Sequence, residues 1–242
     1  MLNYVVLLKE PPIETLKQKI IDYSRDRKYF SIEDLKQYFQ SSDIHYTDES
    51  VKKYLYNFQK DKSLYSSGRG WYSTIENPFH LEKEPVQGII NEIKEHFQIL
   101  PFSCWSTQQI RSYFHHLPGK FVSFIYTDAD SLGPVYDYLR DIYPNTYLNP
   151  GQDEVRKNFV IQENTIVLRQ AITEEPRDGH FARVEKILVD LYFEKERLNL
   201  IDGWEYDRIF ENIVKQFRID AAKLVRYAKR REMKQLFYSK IH

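Results

Sequence analysis

The sequence predicts an α+β fold. Three observations carry that expectation: an N-terminal block of helical apolar periodicity that ends in a glycine-tipped pair of short runs, a near-continuous apolar run at residues 121–126 that reads as a covered strand, and a C-terminal stretch of amphipathic helix patterns. The chain has 242 residues, of which 42% are hydrophobic, enough to fill a core and too many for a disordered, collagen-like or disulfide-scaffold chain. At roughly 150 residues per domain, one or two domains are expected. The single cysteine, Cys104, excludes an intramolecular disulfide and a cysteine-built zinc site. Apolar stretches such as Val5–Leu8 and Ile187–Val189 fall far short of the roughly 20 residues of a membrane span. Met1–Lys9 lacks the basic region of a signal peptide, so a soluble, cytoplasmic, bacterial-type protein with no membrane partner is expected.

The elements follow in order. After Pro11-Pro12, the residues Ile13, Leu16, Ile20 and Tyr23 mark one helix face. Ser31-Ile-Glu-Asp34 is a capping box that opens a second helix, with Ile32, Leu35 and Phe39 inward. Thr47 is a natural N-cap for a third helix, which buries Val51, Tyr54, Leu55 and Phe58 and carries Asp48 and Glu49 at the positive end of its dipole. Two short runs then flank Gly68-Arg69-Gly70 as a hairpin. Three short helices followed by a glycine-tipped hairpin is the order of a winged helix-turn-helix, in which the third helix reads DNA and the hairpin is the wing. Residues 1–77 are assigned to it.

Pro78 and Pro85 bracket a charged stretch that marks the boundary, and residues 78–242 form the second domain. There a helix is expected from Val86 to Phe97. Ser106-Thr-Gln-Gln109 reads as another capping box, opening a helix with Ile110, Tyr113, Phe114 and Leu117. Phe121–Tyr126 reads as a strand covered on both faces. Ser131 is expected to cap a helix with Leu132, Val135 and Leu139 inward. The runs 159–162 and 165–168 flank Glu163-Asn164 as a hairpin. Three helix patterns finish the chain, around Ile187, Phe210 and Leu224. The second domain is therefore expected to hold a small sheet and a helical end.

The net charge of zero hides an uneven distribution: residues 1–75 are net +2, residues 76–204 net −7 and residues 205–242 net +5. Basic ends on an acidic middle point to an anionic partner. On the third helix, Lys53 and Lys60 lie opposite the apolar stripe, Tyr56 and Asn57 flank them, and Lys52 sits at the edge. Lysine reaches phosphate, asparagine can bond adenine bidentately, and tyrosine bonds phosphate or stacks. Arg69 at the wing tip suits phosphate or an adjacent minor groove. The bland alternative is a solvated helix face with Glu49–Lys53 as an i,i+4 pair. Near the C-terminus, Arg226, Lys229, Arg230, Arg231 and Lys234 fall within nine residues and form a candidate partner surface; the alternative is internal neutralisation of the acidic middle.

Signals for catalysis are thin. Asp128-Ala-Asp130 after the apolar strand could hold Mg²⁺, but no Gly-Ser dipeptide is present to cradle a triphosphate, and a loop and helix start explains these residues more simply. The acidic-x-Lys pairs that a metal-dependent nuclease needs on a strand all sit in predicted helices or their ends. His115-His116, if helical, point about 100° apart and cannot share a metal. Cys104, between aromatic residues, reads as buried filler. No enzyme, cofactor or metal is expected.

Two blocks carry a family resemblance. Val184-Glu-Lys-Ile-Leu-Val-Asp-Leu191 resembles the E-x-x-L-V-D-L block of AbiEi-type antitoxins of type IV toxin–antitoxin, or abortive infection, systems. Lys223-Leu-Val-Arg-Tyr-Ala-Lys-Arg230 resembles their R-L-x-x-Y-A-x-R block. Residues 115–139 also resemble a related group of bacterial proteins. The antitoxin resemblance implies an N-terminal winged helix before an antitoxin domain, binding of double-stranded DNA at the protein's own promoter with autorepression, and neutralisation of a nucleotidyltransferase toxin encoded nearby. It implies no catalysis by this chain. The alternatives from other classes are a winged-helix protein-interaction adaptor and a metal-dependent nucleic-acid enzyme using Asp128 and Asp130.

Overall fold

The computed structural model describes residues 16–242. Ile13 and Pro11-Pro12, expected at the head of the first helix, lie outside the described residues. The fold is α+β, as expected.

The N-terminal part runs α1 (Leu16–Arg25), β1 (Tyr29–Ser31), α2 (Ile32–Ser41), α3 (Asp48–Lys60), β2 (Tyr65–Ser66) and β3 (Trp71–Ser73). The three strands form one antiparallel sheet in the order β1-β3-β2. Both caps form. Ser31 Oγ accepts from the Asp34 amide at 3.1 Å while Asp34 accepts from the Ser31 amide at 2.9 Å, and Thr47 Oγ1 accepts from the Ser50 amide at 3.1 Å. Ile20, Phe30, Leu35, Phe39, Val51 and Leu55 fill the core between helices and sheet. Tyr54 is only half-buried. The wing turn requires its glycines, because Gly68 and Gly70 stand at φ +97° and +74°, in the left-handed region.

The remainder is a six-stranded mixed sheet between two helical layers. Its elements are α4 (Glu84–His96), β4 (Phe102–Ser106), a 3-10 helix (Thr107–Tyr113), β5 (Val122–Thr127), α5 (Leu132–Ile142), β6 (Thr146–Leu148), α6 (Gln152–Asn158), β7 (Thr165–Gln170), β8 (Arg177–Asp178), β9 (Phe181–Ala182), α7 (Val184–Arg197), α8 (Gly203–Gln216), α9 (Ala221–Arg230) and α10 (Lys234–Ile241). The strand order is β6-β7-β5-β4-β9-β8. Side chains alternate across the pleat. Phe102, Cys104, Ile125, Ile166 and Leu168 meet α4 and α5 through Val86, Ile90, Ile93, Val135 and Leu139. Trp105, Phe124, Tyr126 and Val167 face the C-terminal helices. Central β5, covered on both faces, accounts for the continuous apolar run.

Three expectations change. Residues 159–162 form no strand, so there is no hairpin about Asn164; β7 instead pairs in parallel with both β5 and β6. The capping box at Ser106 forms, but it opens a 3-10 helix that stops at Tyr113 and leaves Leu117 exposed. Ser131 makes no cap through its own side chain; Asp128 accepts from the Ser131 amide and hydroxyl, each at 2.9 Å.

The two parts share a packed surface. Tyr29, Trp71 and Ile75 belong to the same core as α7–α10. Tyr29 OH donates to Phe217 O at 2.5 Å and accepts from the Ile219 amide at 3.1 Å. The stretch around Pro78 is strapped down: Arg218 donates its amide to Asn77 O at 2.7 Å, its carbonyl accepts from the Phe79 amide at 2.9 Å, and its guanidinium reaches Ile75 O and Glu76 O.

Candidate nucleic-acid interface

The apolar stripe of α3 fixes what the helix offers outward. With Val51, Leu55 and Phe58 buried, Lys52, Lys53, Tyr56, Asn57 and Lys60 are all exposed, and Tyr56 keeps 65% of its surface despite its size. None of the five side chains makes a hydrogen bond or ion pair among the described residues, so their donors are available to a ligand. At the head of the helix, Asp48 is engaged instead by Lys36 of α2 at 2.9 Å, a contact that holds the Asp48 carboxyl below its ordinary range and ties α3 to α2. Arg69 is exposed at the wing tip. The six residues expected to contact DNA thus all sit on the surface of one small module.

The wing is docked onto the second domain. Ser67 Oγ donates to Ile219 O at 2.5 Å and accepts from the Ala221 amide at 3.2 Å, while Ser67 O accepts from the Ala222 amide at 3.2 Å. The wing turn therefore lies on the first turn of α9. Gly68 permits that approach, since a Cβ there would stand 2.2 Å from Asp220 Oδ1 and 2.6 Å from Ala222 Cβ.

The basic cluster near the C-terminus divides. Arg226, Lys229 and Lys234 are exposed. Arg230 is exposed and pairs with Glu174 at 2.6 Å. Arg231 is the correction: its side chain is turned inward, with Nη2 2.8 Å from Asp190 Oδ1 and 3.3 Å from Tyr227 OH. Burial alone would lower the Arg231 pKa, but Asp190 outweighs it and keeps the guanidinium protonated. It cannot serve a partner surface as expected.

Sequence reasoning missed the reason for this, a buried polar network. Lys186 on α7 is fully buried, donates to Asp190 at 2.6 Å, Glu175 at 3.1 Å and Tyr227 OH at 3.1 Å, and lies 3.4 Å from the centroid of the Tyr126 ring. Tyr227 OH donates to Asp190 at 2.9 Å, and burial followed by Asp190 pushes its pKa far up. One turn on, Glu194 takes a two-pronged pair from Arg169 at 2.6 and 2.9 Å. At the start of α7, Glu185 accepts from the Asp220 amide at 2.7 Å and so holds the head of α9. The blocks at 184–191 and 223–230 therefore meet each other, with Lys186, Asp190 and Tyr227 as the structural partners. The signal was present in the sequence: four charged residues, Glu185, Lys186, Asp190 and Glu194, interrupt what is otherwise a buried helix face.

Asp128 is engaged by the amide and hydroxyl of Ser131 just ahead of α5, and those bonds hold its carboxyl below the ordinary range. Among the described residues no group of three or more His, Cys, Asp or Glu side chains can hold a metal ion. His115 and His116 lie in a loop, contrary to the helical expectation, with ring nitrogens 3.0 Å apart. Burial pushes the Cys104 thiol well up, in keeping with filler. No helix among the described residues is long and apolar enough to cross a membrane.

No curated protein matches the chain. Residues 50–242, about four-fifths of its length, match the family described as "Family of unknown function (DUF6577)", and the match begins inside α3 and takes in the wing, the sheet and every C-terminal helix. By that match the chain belongs to the DUF6577 family.

Proposed function

We propose that the protein is a non-enzymatic, winged-helix regulator that binds double-stranded DNA, with its own promoter as the target. One observation carries the reading: the outward face of α3 presents Lys52, Lys53, Tyr56, Asn57 and Lys60 together, exposed and uncommitted, on the module whose wing offers Arg69. Lysines flanking an amide and a phenol supply both phosphate contacts and base-edge readout. Fluorescence anisotropy with labelled duplex from upstream of the gene tests it. Lys53→Ala with Lys60→Ala weakens binding and lowers the salt slope by roughly 0.9 per lost contact. Affinity and slope equal to the parent's would remove α3 as the reading element.

A second reading adds an antitoxin role, neutralisation of a nucleotidyltransferase toxin encoded nearby. It is favoured by the packing of the two antitoxin-like blocks against each other, through Asp190 and Tyr227. Co-expression with the neighbouring gene's product checks it: growth is rescued by the intact chain, and unrelieved toxicity would leave only the DNA-binding role.

A further inference from the structure

The exposed cations of α9 begin where the wing ends. Ala222, in the first turn of α9, supplies the amide bonded to Ser67 O and the methyl group that lies against Gly68. Residues four apart on a helix share a face. The ridge that starts at Ala222 therefore continues through Arg226 to Lys229 and Arg230, and Lys234 follows at the start of α10. The opposite side of α9, Ala221, Leu224, Val225 and Ala228, is buried against the domain. Small residues at Gly68 and Ala222 bring the wing close, and the next two positions on the same ridge present cations. At 1.5 Å per residue, Arg226 lies only about 6 Å along the helix from the wing contact and Lys229 about 10 Å.

We infer that this ridge is a second contact for the DNA backbone, extending the wing so that one duplex meets α3, Arg69, Arg226, Lys229 and Lys234. The inference rests on the DNA-binding reading above and adds the length and electrostatics of the footprint. Two observations favour nucleic acid over an acidic protein as the occupant. Arg226, Lys229 and Lys234 make no ion pair among the described residues, whereas Lys223 pairs with Asp220 and Arg230 with Glu174. Among the described residues the large exposed apolar ones are Tyr56, Ile99, Leu117, Ile142, Leu148, Val160 and Trp204, and none belongs to α9 or α10. A protein interface centres on apolar and aromatic anchors, whereas a phosphate-tracking surface does without them.

The test uses the full chain with Arg226→Gln, Lys229→Gln and Lys234→Gln combined, beside the Lys53→Ala, Lys60→Ala variant. All five side chains are exposed and unpaired, so the melting temperature should equal the parent's. Binding is measured by anisotropy between 50 and 200 mM NaCl on labelled duplexes of 12 and 30 base pairs from the upstream region. The ridge variant should lose up to about 2.7 from the salt slope on the long duplex, roughly 0.9 for each of three contacts, and far less on the short one. The α3 variant should weaken both. Parent-like slopes for the ridge variant on both duplexes, with the α3 variant impaired, would overturn the ridge and leave the DNA reading standing. A parent chain that binds neither duplex overturns both. Unchanged DNA binding with lost affinity for the neighbouring gene's product would make the ridge a protein surface and overturn the inference as well.

Discussion

Arg231 Nη2 lies 2.8 Å from Asp190 Oδ1, and this contact joins the last residues of α9 to the middle of α7 beneath a surface that is otherwise basic. Asp190 is fully buried and also receives Lys186 and Tyr227, so its charge is matched on every side. A buried carboxylate with three charge-assisted or hydroxyl donors is stable only as a complete set.

Asp190→Ala should therefore cost about 3–5 kcal/mol, because Arg231 is left without its carboxylate and buried Lys186 keeps Glu175 alone. The exposed pair Lys215–Glu211, 2.6 Å apart, gives the contrast: Glu211→Ala should change stability by less than about 1 kcal/mol. Urea unfolding of the two variants measures both, and equal losses would show that the network does not hold the helices.

Two wing glycines with similar backbone angles should respond differently. Gly68→Ala must adopt φ +97° and also place a methyl group 2.2 Å from Asp220 Oδ1. Gly70→Ala has φ +74° but meets nothing closer than Ile32 at 3.7 Å. The second substitution should cost about 1 kcal/mol of backbone strain. The first should cost clearly more and loosen the wing from α9. Thermal melts of both rank them, and hydrogen exchange at the Ala221 and Ala222 amides reports the loosening directly.

The shared surface predicts one thermal transition. Tyr29, Trp71 and Ile75 of the N-terminal part pack within the core of α7–α10, so neither part keeps its apolar surface covered alone. A calorimetric scan should give a single peak with matching calorimetric and van't Hoff enthalpies. Tyr29→Phe, which removes the bonds to Phe217 O and the Ile219 amide, should lower that peak without splitting it, by about 1–3 kcal/mol. Two separated peaks in the parent would show that Pro78–Pro85 acts as a free linker.

What could be read from the sequence follows the range of the interaction. The winged helix was legible because its signals are local: the Ser31–Asp34 and Thr47 caps, the spacing of Val51, Leu55 and Phe58, and the glycines at 68 and 70. The exposed face of α3 followed from the same spacing. The sheet was not, beyond β5. β7 takes parallel partners from 43 residues away in β5 and 20 away in β6, and nothing near Asn164 shows that a hairpin is refused. β4, Phe-Ser-Cys-Trp-Ser, hides its strand character in small polar residues; there Ser103 Oγ donates to Glu175 at 2.5 Å. The inward turn of Arg231 was equally hidden, since only the fold brings Asp190 beneath it. Charge density in the sequence picks out the cluster but does not say which cations face water.

The last prediction concerns acid stability and the closure of α10 over the winged helix. Asp34, at the cap of α2, accepts from the Ser31 amide and hydroxyl, from Tyr238 OH and from His242 Nε2 at 3.0 Å. Burial would raise its pKa, but the bonds from His242, Ser31 and Tyr238 outweigh that and hold it well below the ordinary carboxylate range. Tyr238 is pushed the other way, up to about 12, by burial and by Asp34. A carboxylate whose pKa is lowered by folding stabilises the fold fully above its unfolded value, near 3.9, and that contribution is lost as the pH falls through the folded value. The parent should therefore lose stability steadily below about pH 4. Asp34→Asn keeps a side chain that can still accept at the cap but gives up the charge that holds His242 and Tyr238. It should be less stable than the parent at pH 7 by about 1–3 kcal/mol, and the gap should narrow between pH 4 and pH 2, where the Asp34 carboxylate of the parent's unfolded chain takes up a proton while the folded one stays ionised. Urea titrations at pH 7, 4 and 2.5 give the three differences. A gap that stays constant with pH would mean that the Asp34 charge contributes nothing and that Tyr238 and His242 hold α10 by packing against Trp71 alone.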